Sequence, residues 1–192
     1  MPRSEQHTKQ TVEFNIEARR KAFEKPRATM GVWEAMELLN TLVDASDPDT
    51  SATQIQHLLQ TSEAMRKDGK PEWMQVTGLV HDLGKLLYFF GSDGQWVCVI
   101  SPTAAAMHRN ASTLTLLQDV VGDTFVVGCE IPTEKIVYSD TFGANPDVNH
   151  PVYSTKYGMY KPNCGLDNVM ISWGHDEYLV SFLSFVNPFA IC

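Results

Sequence analysis

The sequence predicts an all-α bundle folded as one domain, and three observations carry that expectation. Apolar residues recur at helical spacing in successive segments separated by Gly and Pro breaks. At 192 residues and 43% hydrophobic composition the chain can bury one substantial core, so residues 1–192 read as a single domain. Finally, His81 and Asp82 stand side by side within the apolar run TGLVHDLGKLL, residues 77–87. A carboxylate there is costly to bury without a charge partner, and a metal cation is a strong one.

The elements follow in order. Residues 11–24 alternate apolar and charged positions at helical spacing, and Pro26 ends them. Residues 31–43 form a second helix, with Trp33, Met36, Leu39, Leu42 and Val43 on one face and Glu34 and Glu37 opposite. The acidic stretch 44–50 is a turn broken by Pro48. Ser51 with Gln54 resembles a capping box that opens a third helix, through about Lys67. After Gly69–Pro71 a fourth helix spans 72–90 and carries the His-Asp pair. Residues 120–130 read as short extended pieces, and 131–163, dense in Pro, Asn, Asp and Tyr, as a long ordered loop. A fifth helix is expected from near Asp167 through His175.

Composition narrows the function. A formal charge of −8 and a pI near 5.1 argue against nucleic-acid or anionic-membrane partners. No apolar run reaches the ~18–20 residues a membrane span needs. The polar N-terminus lacks a signal-peptide core, and the four cysteines form no C-x-x-C pair. The expectation is a cytoplasmic protein, a monomer, with free buried thiols.

The chemistry centres on histidines and carboxylates. On a helix, adjacent residues point about 100° apart while positions three apart nearly align. His81 and Asp82 therefore address two points around one cavity, and Asp82 shares a face with Lys85. A carboxylate can bridge two metals, and imidazole with carboxylate suits iron, manganese or zinc. Beside such cations Lys85 would favour its neutral form, fit for proton transfer to or from a substrate. His57 edges the apolar line of the third helix, 24 residues before the pair, in the order typical of HD-type helical metalloproteins. His175 is a further candidate; His7, His108 and His150 read as uninvolved. Asp44, Ser46, Asp47 and Asp49 lack EF-hand spacing, but such acceptors suit a polyhydroxylated ligand.

Five segments together resemble the myo-inositol oxygenase family, a diiron branch of the HD-domain superfamily. They are LVDASDPDT (42–50), QHLLQTSEAMRKD (56–68), TGLVHDLGKLL (77–87), GDTFVVGC (122–129) and STKYGMYKPNCGLDNVMISWGHDEYLV (154–180). The resemblance implies an HD-like helical bundle with a loop-rich insertion and two Fe ions per subunit. It also implies cleavage of the myo-inositol ring by O2 to D-glucuronate, without an external reductant. Carried over by position, it makes His57, His81 and Asp82 ligands of one iron, with Asp82 bridging to a second iron held by His175. Lys85 then contacts an inositol hydroxyl, and Asp44, Ala45, Ser46, Gly122 and Asp123 line the substrate.

The resemblance also implies two further iron ligands, a histidine and a late aspartate beyond the Gly-His-Asp helix. It adds a substrate-contacting serine after the histidine and an early substrate-contacting arginine. None of these has a match here, so each iron would lack protein ligands. This chain ends seventeen residues after His175 and so reads as truncated. Residues 99–119 and 181–192, almost without charge, read as atypical segments, translated intron or misjoined sequence. Two alternatives stay open: an HD-type metal-dependent phosphohydrolase, and a metal-binding remnant without catalysis.

Overall fold

The computed structural model describes residues 2–24, 28–42, 52–90, 124–136 and 138–186. Its helices are α1 (Pro2–Lys9), α2 (Val12–Phe23), α3 (Val32–Leu39), α4 (Gln54–Lys67), α5 (Glu72–Val80) and α6 (His175–Val186). Short 3-10 helices cover Leu83–Phe90, Ser139–Ala144, Pro146–Asn149 and Leu166–Asn168. Among the described residues the one β feature is an isolated antiparallel bridge between Val126 and Ile171. The fold is all-α and HD-like, as expected.

Local chemistry sets the helix ends. In α2 the Thr11 hydroxyl accepts the Phe14 N–H, with Glu13 in the first turn and Arg20 and Lys21 in the last, matching the helix dipole. In α4 Thr53 and Gln56 form a reciprocal capping box, two residues later than the expected Ser51–Gln54 pair. Gly69 (φ +68°) then turns the chain, and α5 packs back on α4. There Gly78 lies so close to Met65 that an added Cβ would stand 2.8 Å from its sulfur, and the Ser62 hydroxyl donates to the Gln75 carbonyl.

Three apolar clusters hold these pieces. Ala35, Met36, Leu39, Leu42, Leu58 and Leu86 join α3, α4 and the 83–90 segment. Ala22, Leu87 and Trp173 join α2, the same segment and the approach to α6. Phe125, Val127 and Phe142 form the third, under the loop-rich region. Leu86 and Leu87 thus point to different clusters, which makes the 83–90 segment the spine of the molecule. Each fully buried Leu contributes about 2 kcal/mol.

Four expectations need correction. The polar N-terminus forms a helix, α1, whose His7 is buried and stacked on Phe142 with centroids 4.0 Å apart. The helix expected over 72–90 changes at His81 from α to 3-10. The last helix starts at His175, since Ile171 is taken by the bridge to Val126 and Ser172 N–H by the Phe125 carbonyl. Trp33, expected on the apolar face of α3, is 57% exposed and donates its indole N–H to Glu37. Cys129 and Cys164 carry free thiols and are half-buried; burial pushes the Cys129 thiol up from its ordinary value. Val43, Ser51, Cys98, Cys192, residues 99–119 and the last six residues of 181–192 lie outside the described residues; α6 itself runs six residues into 181–192.

Candidate metal centre

Four elements converge on one carboxylate. His57 comes from the second turn of α4, His81 caps the C-terminus of α5, Asp82 opens the turn into the 3-10 segment, and His175 begins α6. The change to 3-10 winding matters here. With three residues per turn, positions i and i+3 eclipse, and Lys85 stands over Asp82, donating from Nζ to Oδ2 at 2.9 Å. Both side chains are buried, at 6% and 4% exposure.

Around Asp82 the imidazoles stand close. His57 Nε2 is 3.5 Å from Oδ2, His81 Nε2 3.5 Å from Oδ1, and His175 Nε2 3.4 Å from Oδ1. His57 Nε2 and His81 Nε2 face each other at 3.2 Å. The Gly78 carbonyl lies 2.8 Å from His81 Nδ1. A carbonyl only accepts, so Nδ1 carries a proton and Nε2 is the nitrogen turned toward His57.

Burial resists ionisation of Asp82, but the hydrogen bond from His175 and the Lys85 ammonium outweigh it. The carboxyl is held well below the usual carboxylate range. It is therefore charged at neutral pH, facing three imidazoles.

This donor set fits a cation. His57, His81 and Asp82 each offer one ligand atom, all within 4.8 Å of one another. Two ligand atoms about 2.1 Å from a common ion at tetrahedral or octahedral angles lie about 3.0–3.4 Å apart, close to the separations seen here. Two imidazole nitrogens this close beside a carboxylate share a proton or a metal between them. Asp82 Oδ1, which faces His81, also faces His175, so the carboxylate and His175 offer a second pair of donors on the α6 side. Asp176, the next residue, puts Oδ1 3.2 Å from His175 Nε2.

The structure thus brings together His57, His81, Asp82, Lys85 and His175. Asp44, Ala45, Ser46, Gly122 and Asp123 lie outside the described residues. Thr124 donates to Asp176 Oδ2 at 2.9 Å, a bond to the first turn of α6. A cavity of about 410 Å3 opens elsewhere, lined by Gln10, Val127, Cys129, Asp140, Phe142 and Tyr153 among others, and none of the five residues of the centre borders it.

Sequence reasoning missed the partners of the candidate ligands. The Gly78 carbonyl that orients His81 is one turn upstream and follows from helix geometry. Gly84 was also missed: an added Cβ there would lie 1.9 Å from the His175 carbonyl oxygen, so only glycine allows this approach of the spine to α6.

The chain is also similar to known proteins. A family model described as myo-inositol oxygenase matches residues 3–107 and 113–187. Inositol oxygenase 1 of Arabidopsis thaliana is 46% identical over 177 residues, 90% of this chain and 49% of that protein. The inositol oxygenases of Dictyostelium discoideum and Rattus norvegicus are each 42% identical, over 90% and 96% of this chain and 53% and 57% of their own lengths. The chain spans about half the length of the curated relatives it matches.

Proposed function

The chain belongs to the myo-inositol oxygenase family, and on that premise we propose that it contributes the iron-binding and substrate-contacting residues of an inositol oxygenase. The observation that supports this best is the convergence of His57, His81 and His175 on the buried Asp82. His57, His81 and Asp82 would hold one iron, and Asp82 with His175 a second. A bound iron pair supplies Lewis acidity and the redox capacity for reaction with O2.

The chain's own residues do the rest. Asp82 keeps its negative charge and holds the Lys85 ammonium in place. Lys85 offers that ammonium to a ring hydroxyl, binding and orienting the inositol and holding a proton at that oxygen. Asp44, Ala45, Ser46, Gly122 and Asp123 would line the substrate, accepting and donating hydrogen bonds around the ring. The reaction consumes myo-inositol and O2 and yields D-glucuronate and water, with no outside reductant.

The two cation sites are unequal. The first has three donors among the described residues, while the second has His175 and one Asp82 oxygen. We read the chain as a cytoplasmic monomer acting on a small molecule, with no nucleic-acid partner. No helix of the described residues is long and apolar enough to cross a membrane.

Anaerobic iron reconstitution followed by an inositol turnover assay tests the proposal. The expected result is fewer than two irons per chain, one held tightly and a second weakly, with little glucuronate, formed only by the doubly loaded fraction. A doubly loaded chain that releases phosphate from nucleotides, or consumes no O2 with inositol, would overturn the oxygenase reading.

A further inference from the structure

Two residues before His175, the backbone is gripped by a side chain from the far end of the chain. Gln10 sits between α1 and α2 and is 2% exposed. Its Nε2 donates to the Trp173 carbonyl at 2.7 Å, and its Oε1 accepts the Trp173 N–H at 2.9 Å. One primary amide therefore takes both polar groups of one residue, the pairing two strands use across a ladder. Such a two-point grip fixes the direction of the backbone as well as its place. The packing of the Trp173 ring among Ala22 and Leu87 is non-directional and does neither.

The grip is itself held in one orientation. Asn15, fully buried, donates from Nδ2 to Gln10 Oε1 at 2.9 Å and to the Thr11 carbonyl at 2.8 Å. A flipped Gln10 amide would set its NH2 against two N–H donors. One turn along α2, Arg19 donates to the Ile171 carbonyl at 2.9 Å and to Glu177 Oε1 at 2.9 Å. The α1–α2 pair thus holds the chain on both sides of His175.

We propose that Gln10 is a positioning residue that sets where the His175 imidazole stands relative to Asp82. The proposal rests on the reading of this site as a metal centre for its functional meaning, but its geometric content does not need a metal. Gln10 touches neither Asp82 nor His175, so it acts through the Trp173 peptide alone.

The test uses Gln10→Glu, which keeps size and acceptor but sets a carboxylate oxygen against the Trp173 carbonyl, and Gln10→Met, which keeps length and removes both bonds. In the metal-free protein, imidazole 15N resonances are compared with wild type. The expected result is a shift of the His175 signals and faster exchange of the Trp173 amide, with His57 and His81 signals in place. Cobalt(II) titration of the same proteins should leave the first cation's affinity unchanged and weaken the second at least about tenfold. His175 signals that superimpose on wild type in both variants overturn the proposal. So does equal displacement of all three histidines, which would make Gln10 a general structural residue. If wild type takes up no cobalt while His175 shifts as expected, the metal reading fails and the positioning role stands.

Discussion

The two halves of the centre are built in different ways. His57, His81, Asp82 and Lys85 come from one continuous stretch, α4 through the 83–90 segment, whose helices pack by apolar contact with Leu58 and Leu86 in a shared cluster. His175 arrives from a distant part of the chain, and polar contacts deliver it: Gln10 to Trp173, Arg19 to Ile171 and Glu177. The local half is specified by periodicity and one tight turn. The distant half needs directional bonds, because apolar packing alone leaves the backbone free to slide. The proposed metal centre depends on both and should fail in separable ways.

The largest expected effect is at the residue both halves share. Asp82→Ala removes a donor from each site and leaves Lys85 buried without its carboxylate, at a cost of about 3 kcal/mol or more. Isothermal titration should find both cations lost, and denaturant unfolding should show the stability loss. The pH profile belongs to the same residue. The Asp82 carboxyl lies below its unfolded value, so its contribution is full above about pH 5 and is lost as pH falls below that. Wild-type urea midpoints should therefore drop more steeply from pH 5 to 3 than those of Asp82→Ala; parallel profiles would contradict the depressed carboxyl.

Gly84→Ala should separate the halves. The added methyl meets the His175 carbonyl, and relieving that contact costs about 1–3 kcal/mol and moves α6 away. The second cation should be lost while the first binds as in wild type. Loss of both would mean that the halves are coupled more tightly than their construction implies.

The smallest effect is expected at Thr53→Ala, which removes the cap of α4 and costs about 1 kcal/mol. Thermal unfolding should register it, with the His175 side of the centre unaffected.

Much of the local half was legible in the sequence. The apolar lines of α2 through α5 repeat at helical spacing, and the Asp82–Lys85 interval announces a shared face. The exceptions have physical causes. Thr53 wins the cap over Ser51 because its own hydroxyl reaches the Gln56 N–H while the Gln56 side chain reaches back. The change to 3-10 winding after Asp82 leaves no composition signal, since an apolar run suits either helix. The distant half was legible only as a His-Asp pair of resembling context. Where α6 begins is decided by bonds from Gln10 and Phe125, far away in sequence, which no local period encodes. The same holds for α1 and the turn after it, whose buried polar residues His7 and Gln10 look solvent-facing until their tertiary partners are seen.

The most direct test of the centre is iron stoichiometry after anaerobic reconstitution of His57→Ala and His175→Ala beside wild type. The account predicts that His175→Ala keeps the one tightly held iron and loses only the weaker, while His57→Ala loses the tight one. An unchanged iron count in both variants, or loss of the tight iron in His175→Ala alone, would contradict a pair of unequal sites joined at Asp82.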